Sequence, residues 1–311
     1  MSGQSDLIRW SCPAATSHRG IDPKLARKLE DVLDYFLPGS SAPSSLPRAN
    51  ARPGEGPRRA NHAHARSNSG SNPDPRTRAE RPAALPIIAL PIGDRDVVHA
   101  AFAWNLVVEV ARLGANATLL APADPAAASL WPPSGPGPVG ARLELVRAAN
   151  LRELNRAALD AAVSRAADAK NGGVILTRVP PAWLNGASDG RALLRWVLLF
   201  ATAESKDLRE TYGLAKRVVR AGPTPRIGIT IHGARRIEEA EHAFSRLANT
   251  ARRHLGHSVV SYGLLVDDLH IYRAIVAHRP IGLEHPQSRA ARALRDVARL
   301  LLDDAQDHAL G

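Results

Sequence analysis

From residue 86 onward the chain alternates short apolar runs with stretches of helical period, and that alternation predicts its fold. LPIIAL, ATLLAPA, GGVILTRVP, WVLLFATA, RIGITIHG and SVVSYGLLV predict strands at 86–91, 117–121, 173–178, 196–201, 226–231 and 258–265. Between them, apolar residues recur at helical spacing over 96–114, 151–169, 204–220, 236–255, 268–278 and 288–304. Strands that are apolar at nearly every position must be covered on both faces. The expected architecture is α/β: one domain over 86–304, with a mostly parallel sheet, helices on both faces and a tail at 305–311.

The residues before this domain change character. Residues 39–85 are Pro, Gly, Ser, Asn and Arg with almost nothing to bury, so a disordered basic linker is expected there, and disorder also over 1–20. Between them lies IDPKLARKLEDVLDYFLPG, with Asp22 as a cap, Pro23 in the first turn and Pro38-Gly39 as a stop. Leu25, Leu29, Val32, Leu33 and Phe36 follow one face of the helix expected at 21–38. A lone helix of about fifteen residues is marginal in water, so this one must pack on something. Its own domain and a partner protein both stand open, with Leu29, Val32, Leu33 and Phe36 as the contact residues.

Charge narrows the partners only a little. The chain carries 41 Lys+Arg against 30 Asp+Glu, a net +11, which favours acidic partners such as nucleic acid, anionic lipid or an acidic protein surface. Eight arginines against three acids in the linker are one source of that balance. No aromatic platform or base-reading motif accompanies them, so a solvated tail is expected rather than a nucleic-acid site. His62 and His64 in the same linker read as solvated residues. A single cysteine, Cys12, excludes a disulfide framework and a cysteine-based metal site. The N-terminus has no basic-then-apolar leader pattern, and no apolar run approaches a membrane span, so a soluble cytoplasmic protein is expected.

The chemistry turns on GDRDVVHA, set between the first strand and the first helix. IALPIGDRDVVHAAFAWNLV and VARLGANATLLAPADP run in frame with the opening of the MinD/ParA branch of P-loop ATPases, the deviant Walker family. WVLLFATAESKDLRETYGLAKRV, IGITIHGARRIEEAEHAFSRLANTARRHLG and GLLVDDLHIYRAIVAHRPIGLEHPQSRAARALRDVARLL continue the likeness in order. The chain thus resembles that family over 86 to about 304, and most of all its FlhG-type flagellar-number regulators and MinD-like members. The resemblance implies a P-loop fold, ATP with Mg²⁺ as the family's cofactor, and regulation through a protein partner.

Residue by residue, the phosphate machinery is missing. A phosphate cradle needs glycines where backbone N–H groups converge, a lysine at the β/γ-phosphates and a Ser/Thr hydroxyl on Mg²⁺. In the family's frame Gly93 keeps the first glycine. Asp94 takes the place of the signature lysine, Arg95, Asp96 and Val98 replace glycines, His99 replaces the main lysine and Ala100 the threonine. Pro122 replaces one aspartate after the second strand, though Asp124 remains. Thr177 stands where a metal-side aspartate is expected and His232 where an adenine-side asparagine is. Two carboxylates facing a triphosphate reverse the sign of the site, since like unit charges 4 Å apart repel by about 4 kcal/mol at an effective dielectric near 20.

The expected reading is a non-catalytic pseudo-ATPase acting as a regulatory or positioning protein, with no cofactor and no metal. The alternative is an ATP-binding switch with unusual phosphate chemistry. Asp94 or Asp96 is expected to cap the first helix, with His99 a surface residue of its first turn; an Asp96–His99 metal or acid–base pair is the competing reading. Arg289, Arg292, Arg295 and Arg299 along the last helix admit a peripheral membrane contact, but the resemblance places this helix inside the domain.

Overall fold

The computed structural model describes residues 84–309 except 186–188, 223 and 278; the expected helix 21–38, with Leu29, Val32, Leu33 and Phe36, and the linker 39–85 up to residue 83 lie outside the described residues. Eight strands form one sheet: β1 (Ile87–Pro91), β2 (Asn116–Pro122), β3 (Gly135–Pro136), β4 (Arg142–Val146), β5 (Gly173–Val179), β6 (Trp196–Ala201), β7 (Arg226–Ala234) and β8 (Val259–Val266). Their order is β3-β4-β2-β5-β1-β6-β7-β8, and every pairing is parallel except β3 with β4. All seven residues of β5 and all six of β6 are buried, as strands between two helical layers must be.

The helices are α1 (Val97–Arg112), α2 (Leu151–Ala166), α3 (Ser205–Ala221), α4 (Ile237–Leu255), α5 (Leu269–Val276), the single turn α6 (Ile281–Glu284) and α7 (Arg289–Ala309). α1 and α7 pack on each other on one side of the sheet, while α2, α3 and α4 cover it from the other. The six expected strands and six expected helices are present within a few residues at each end. α7 runs on through Ala309, past the end expected at 304.

Two strands were not foreseen. β3 lies inside the Pro- and Gly-rich stretch PPSGPGPVG, which reads as loop, and β4 follows it. Gly137 explains that composition: a Cβ there would lie 2.7 Å from Trp104, so only glycine lets this segment lie across the α1 indole.

α7 is the docked helix of the domain that the resemblance implies. Leu294, Val297, Leu300 and Leu301 are buried against β8 and α1, so the apolar side of the helix is already used. Its polar groups are tied down as well. Tyr262 of β8 donates to Asp304 at 2.7 Å, Arg226 of β7 pairs with the same carboxylate, and the Arg226 guanidinium sits 5.1 Å from the centre of the Trp196 ring. Arg295 reaches Glu109 on α1 at 3.3 Å and Arg299 reaches Asp296 at 3.3 Å. Among the described residues, no helix is long and apolar enough to cross a membrane.

Candidate functional site

The loop joining β1 to α1 lies at the C-terminal edge of the sheet, where parallel α/β folds open their ligand crevice. An anion cradle leaves backbone N–H groups free to converge on a phosphate. This loop uses them internally. The Asp96 N–H donates to the Gly93 carbonyl at 3.3 Å and the Val97 N–H to the Arg95 carbonyl at 3.1 Å. The His99 N–H donates to Asp96 Oδ1 at 3.1 Å, and the Ala100 N–H to the Asp96 carbonyl at 3.1 Å. Asp96 is therefore the cap of α1. Ala100 is fully buried in the core, Val98 packs half-buried against it, and Arg95 is exposed.

Asp94 does something else. Its Oδ1 accepts from Arg178 Nη2, and Arg178 Nε donates to the Ile92 carbonyl at 3.2 Å. Arg178 lies near the end of β5 with its side chain fully buried, whereas that of Asp94 is half exposed. A guanidinium cannot shed its charge, so burying it demands a counter-charge. The expectation of two unmet carboxylates in the loop is corrected: Asp94 is paired from beneath with Arg178, a cation that arrives from β5. The signal was there, as an arginine inside the apolar run VILTRVP.

His99 is also not the surface residue expected. Its side chain is 17% exposed, stacked on Phe200 at 5.3 Å between ring centres and near Phe102 at 6.5 Å. Its Nε2 lies 2.9 Å from Nε2 of His232, near the end of β7, and its Nδ1 lies 2.6 Å from Asp96 Oδ2. Which of the two Nε2 atoms donates across this contact depends on the tautomers of the rings. Burial and, after it, the neighbouring His99 drive the His232 pKa down to about 4, against the opposing pull of Asp207 and Asp96. Burial alone would raise the Asp96 pKa, but the hydrogen bonds and charge of His99 hold it below the usual carboxylate range.

The loop thus brings together Asp94, Asp96, His99 and His232, and adds Arg178, Phe102 and Phe200. Thr177 and Asp124 stay apart from it. Thr177 is fully buried in β5 with no partner for its hydroxyl, and Asp124 caps a turn at 125–130 by accepting from the Ala126 N–H at 2.9 Å. The chain Asp96–His99–His232 can hold a proton and orient imidazoles, but it presents no hydroxyl or thiol to activate. Among the described residues, no group of three or more His, Cys, Asp or Glu side chains is placed to hold a metal ion. A separate open cleft of about 370 Å³ lies between Ala203 and the start of α4. Its walls mix Arg236, His242 and Arg246 with Glu238 and Glu239, so no single charge converges there.

No protein-family model matches the chain, and no curated protein matches its sequence. Solved structures do match in fold. MinD cell division protein from Aquifex aeolicus is 16% identical with a TM-score of 0.48, covering 70% of this chain and 97% of its own. The cell division ATPase MinD of Pyrococcus furiosus is 14% identical with a TM-score of 0.49, covering 70% and 98%. A ParA family ATPase from Chlorobium tepidum is 12% identical with a TM-score of 0.46, covering 70% and 99%.

Proposed function

We propose that this chain is a non-catalytic regulatory or positioning protein on a MinD/ParA-type frame, acting through protein contacts rather than through ATP hydrolysis. The family's positioning roles at flagella, cell poles and division sites define the class, and a cytoplasmic site of action goes with it. One observation carries the reading: the loop is closed on itself. Its N–H groups at Asp96, Val97 and His99 bond within the loop, Asp94 is engaged by Arg178, and the His99 imidazole stands where the phosphate-binding lysine is needed. An incoming triphosphate would have to break these contacts to reach the loop's N–H groups.

The test is calorimetry of the full chain with Mg-ATP at millimolar concentration, paired with thermal melts. A site of micromolar affinity would stabilise the fold by about 2.7 kcal/mol at a hundredfold excess of ligand over Kd. Neither saturable heat nor a shift in melting temperature is expected. Saturable binding would instead favour the nucleotide switch, with Arg178 supplying the cation that the loop lacks.

A further inference from the structure

α5 has two apolar sides. Ile271 and Ala274 face inward and are buried, while Leu269, Tyr272 and Val276 remain 62%, 44% and 81% exposed. These three recur at i, i+3 and i+7, a stripe along one helical face. Next to it runs a shallow groove in which Val97, Ala101, Trp104, Leu130 and Ile275 are joined by Asn105, Ser129 and Arg279. Val97 is itself 46% exposed. An exposed apolar helical stripe beside a groove with apolar walls and a few polar groups marks a seat for another element.

We propose that residues 21–38 of the same chain occupy this seat, laying the stripe of Leu25, Leu29, Val32, Leu33 and Phe36 along α5. Within the first 83 residues, this is the organised segment with an apolar helical face, and alone in water such a helix is marginal. The connection fits. Residues 39–83 join it to Ala84, and 45 residues of this Pro-, Arg-, Ala- and Ser-rich composition would span at least about 35–40 Å, the random-coil value. The chain enters the domain at the start of β1 and α5 begins beyond the end of β8, on opposite edges of the sheet. Strands of five to nine residues stand about 17–30 Å tall, so the tether reaches across without being stretched. It also sets the local concentration near millimolar. Against an intrinsic Kd of about 0.1 mM, that seats the helix roughly nine-tenths of the time and leaves it displaceable by a better ligand.

Hydrogen exchange on the full chain tests this directly. Changing Leu29→Asp together with Phe36→Asp should speed exchange of α5 about tenfold, by the occupancy just given, with α7 unchanged and the difference independent of dilution. Val276→Asp, at an exposed position that does not disturb packing, should reciprocally speed exchange over 25–36. Equal α5 rates in wild type and the double variant overturn the proposal. Protection of α5 that disappears on dilution also overturns it, and assigns the face to a second copy. If the double variant loosens α7 as well, the Val276→Asp result decides: unchanged rates over 25–36 refute the contact.

Discussion

Arg178 and Asp94 are 84 residues apart in sequence and form an ion pair with one end fully buried and the other half in water. The pair joins β5 to the β1–α1 loop and sets the loop's shape as well as its charge.

Removing the carboxylate leaves the guanidinium stranded. Breaking a buried pair from one side costs about 3–5 kcal/mol, and solvent at the exposed Asp94 should reduce this to roughly 2 kcal/mol. Asp94→Asn is expected to lose that much in denaturant unfolding. Adding Arg178→Met should restore stability to within about 1 kcal/mol, because the buried charge goes too. The second change also removes Nη1, which has no hydrogen-bond partner. A double variant weaker than Asp94→Asn would show that the pair is not the source of the loss.

His232 makes the fold sensitive to mild acid. Its folded pKa is about 4, below the ordinary 6.5, so the unfolded chain takes up the proton first. Stability is fully present above pH 6.5 and falls as pH drops toward 4, by at most about 3 kcal/mol at about 1.4 kcal/mol per pH unit. Asp96, whose pKa is depressed, adds its own loss at still lower pH. Urea unfolding measured between pH 7 and 4 should show this slope in wild type and a flatter one in His232→Leu. Identical slopes would mean that His232 titrates normally.

Gly282 is predicted to tolerate no side chain. A Cβ there would lie 1.6 Å from Glu109 Oε1 and 2.6 Å from Arg112 Nη1. Those groups cannot retreat. Glu109 is buried between Arg112 at 2.7 Å and Arg295 at 3.3 Å, and Arg112 also donates to the Gly282 carbonyl at 2.9 Å. Gly282→Ala should cost about 2 kcal/mol or more. Gly213→Ala, within α3 and with nothing inside 4 Å, should gain about 0.5–1 kcal/mol. The two melting temperatures must move in opposite directions.

The sheet was legible because its period is local: β5 and β6 announce themselves as unbroken apolar runs. β4 was not, because this strand, next to the two-residue edge strand β3, is buried on one face only. Leu143 faces inward, Leu145 is exposed, and the flanking prolines and glycines hide both. In the loop, the cap at Asp96 could be read from spacing, since it is a contact between near neighbours. Its charge could not, because Arg178 arrives from another strand. His99 was misplaced for the same reason: Phe200 and His232, which bury it, come from β6 and β7.

The position of β1 in the middle of the sheet has a consequence for synthesis. Its partners are Ile175, paired with Ile87, and Val197, paired with Ala89, which lie 88 (175 − 87) and 108 (197 − 89) residues further on. At about 5–20 residues per second, a ribosome needs roughly 5–20 s after making β1 to supply its two neighbours. Throughout that interval IIALP and the apolar side of α1 have no sheet to join, and unpaired strands of this composition invite association between chains. The Asp94–Arg178 pair cannot form until β5 emerges, so the loop takes its closed shape only when the centre of the domain assembles. Expression yield should therefore depend more on what shields β1 during translation than on the stability of the finished sheet.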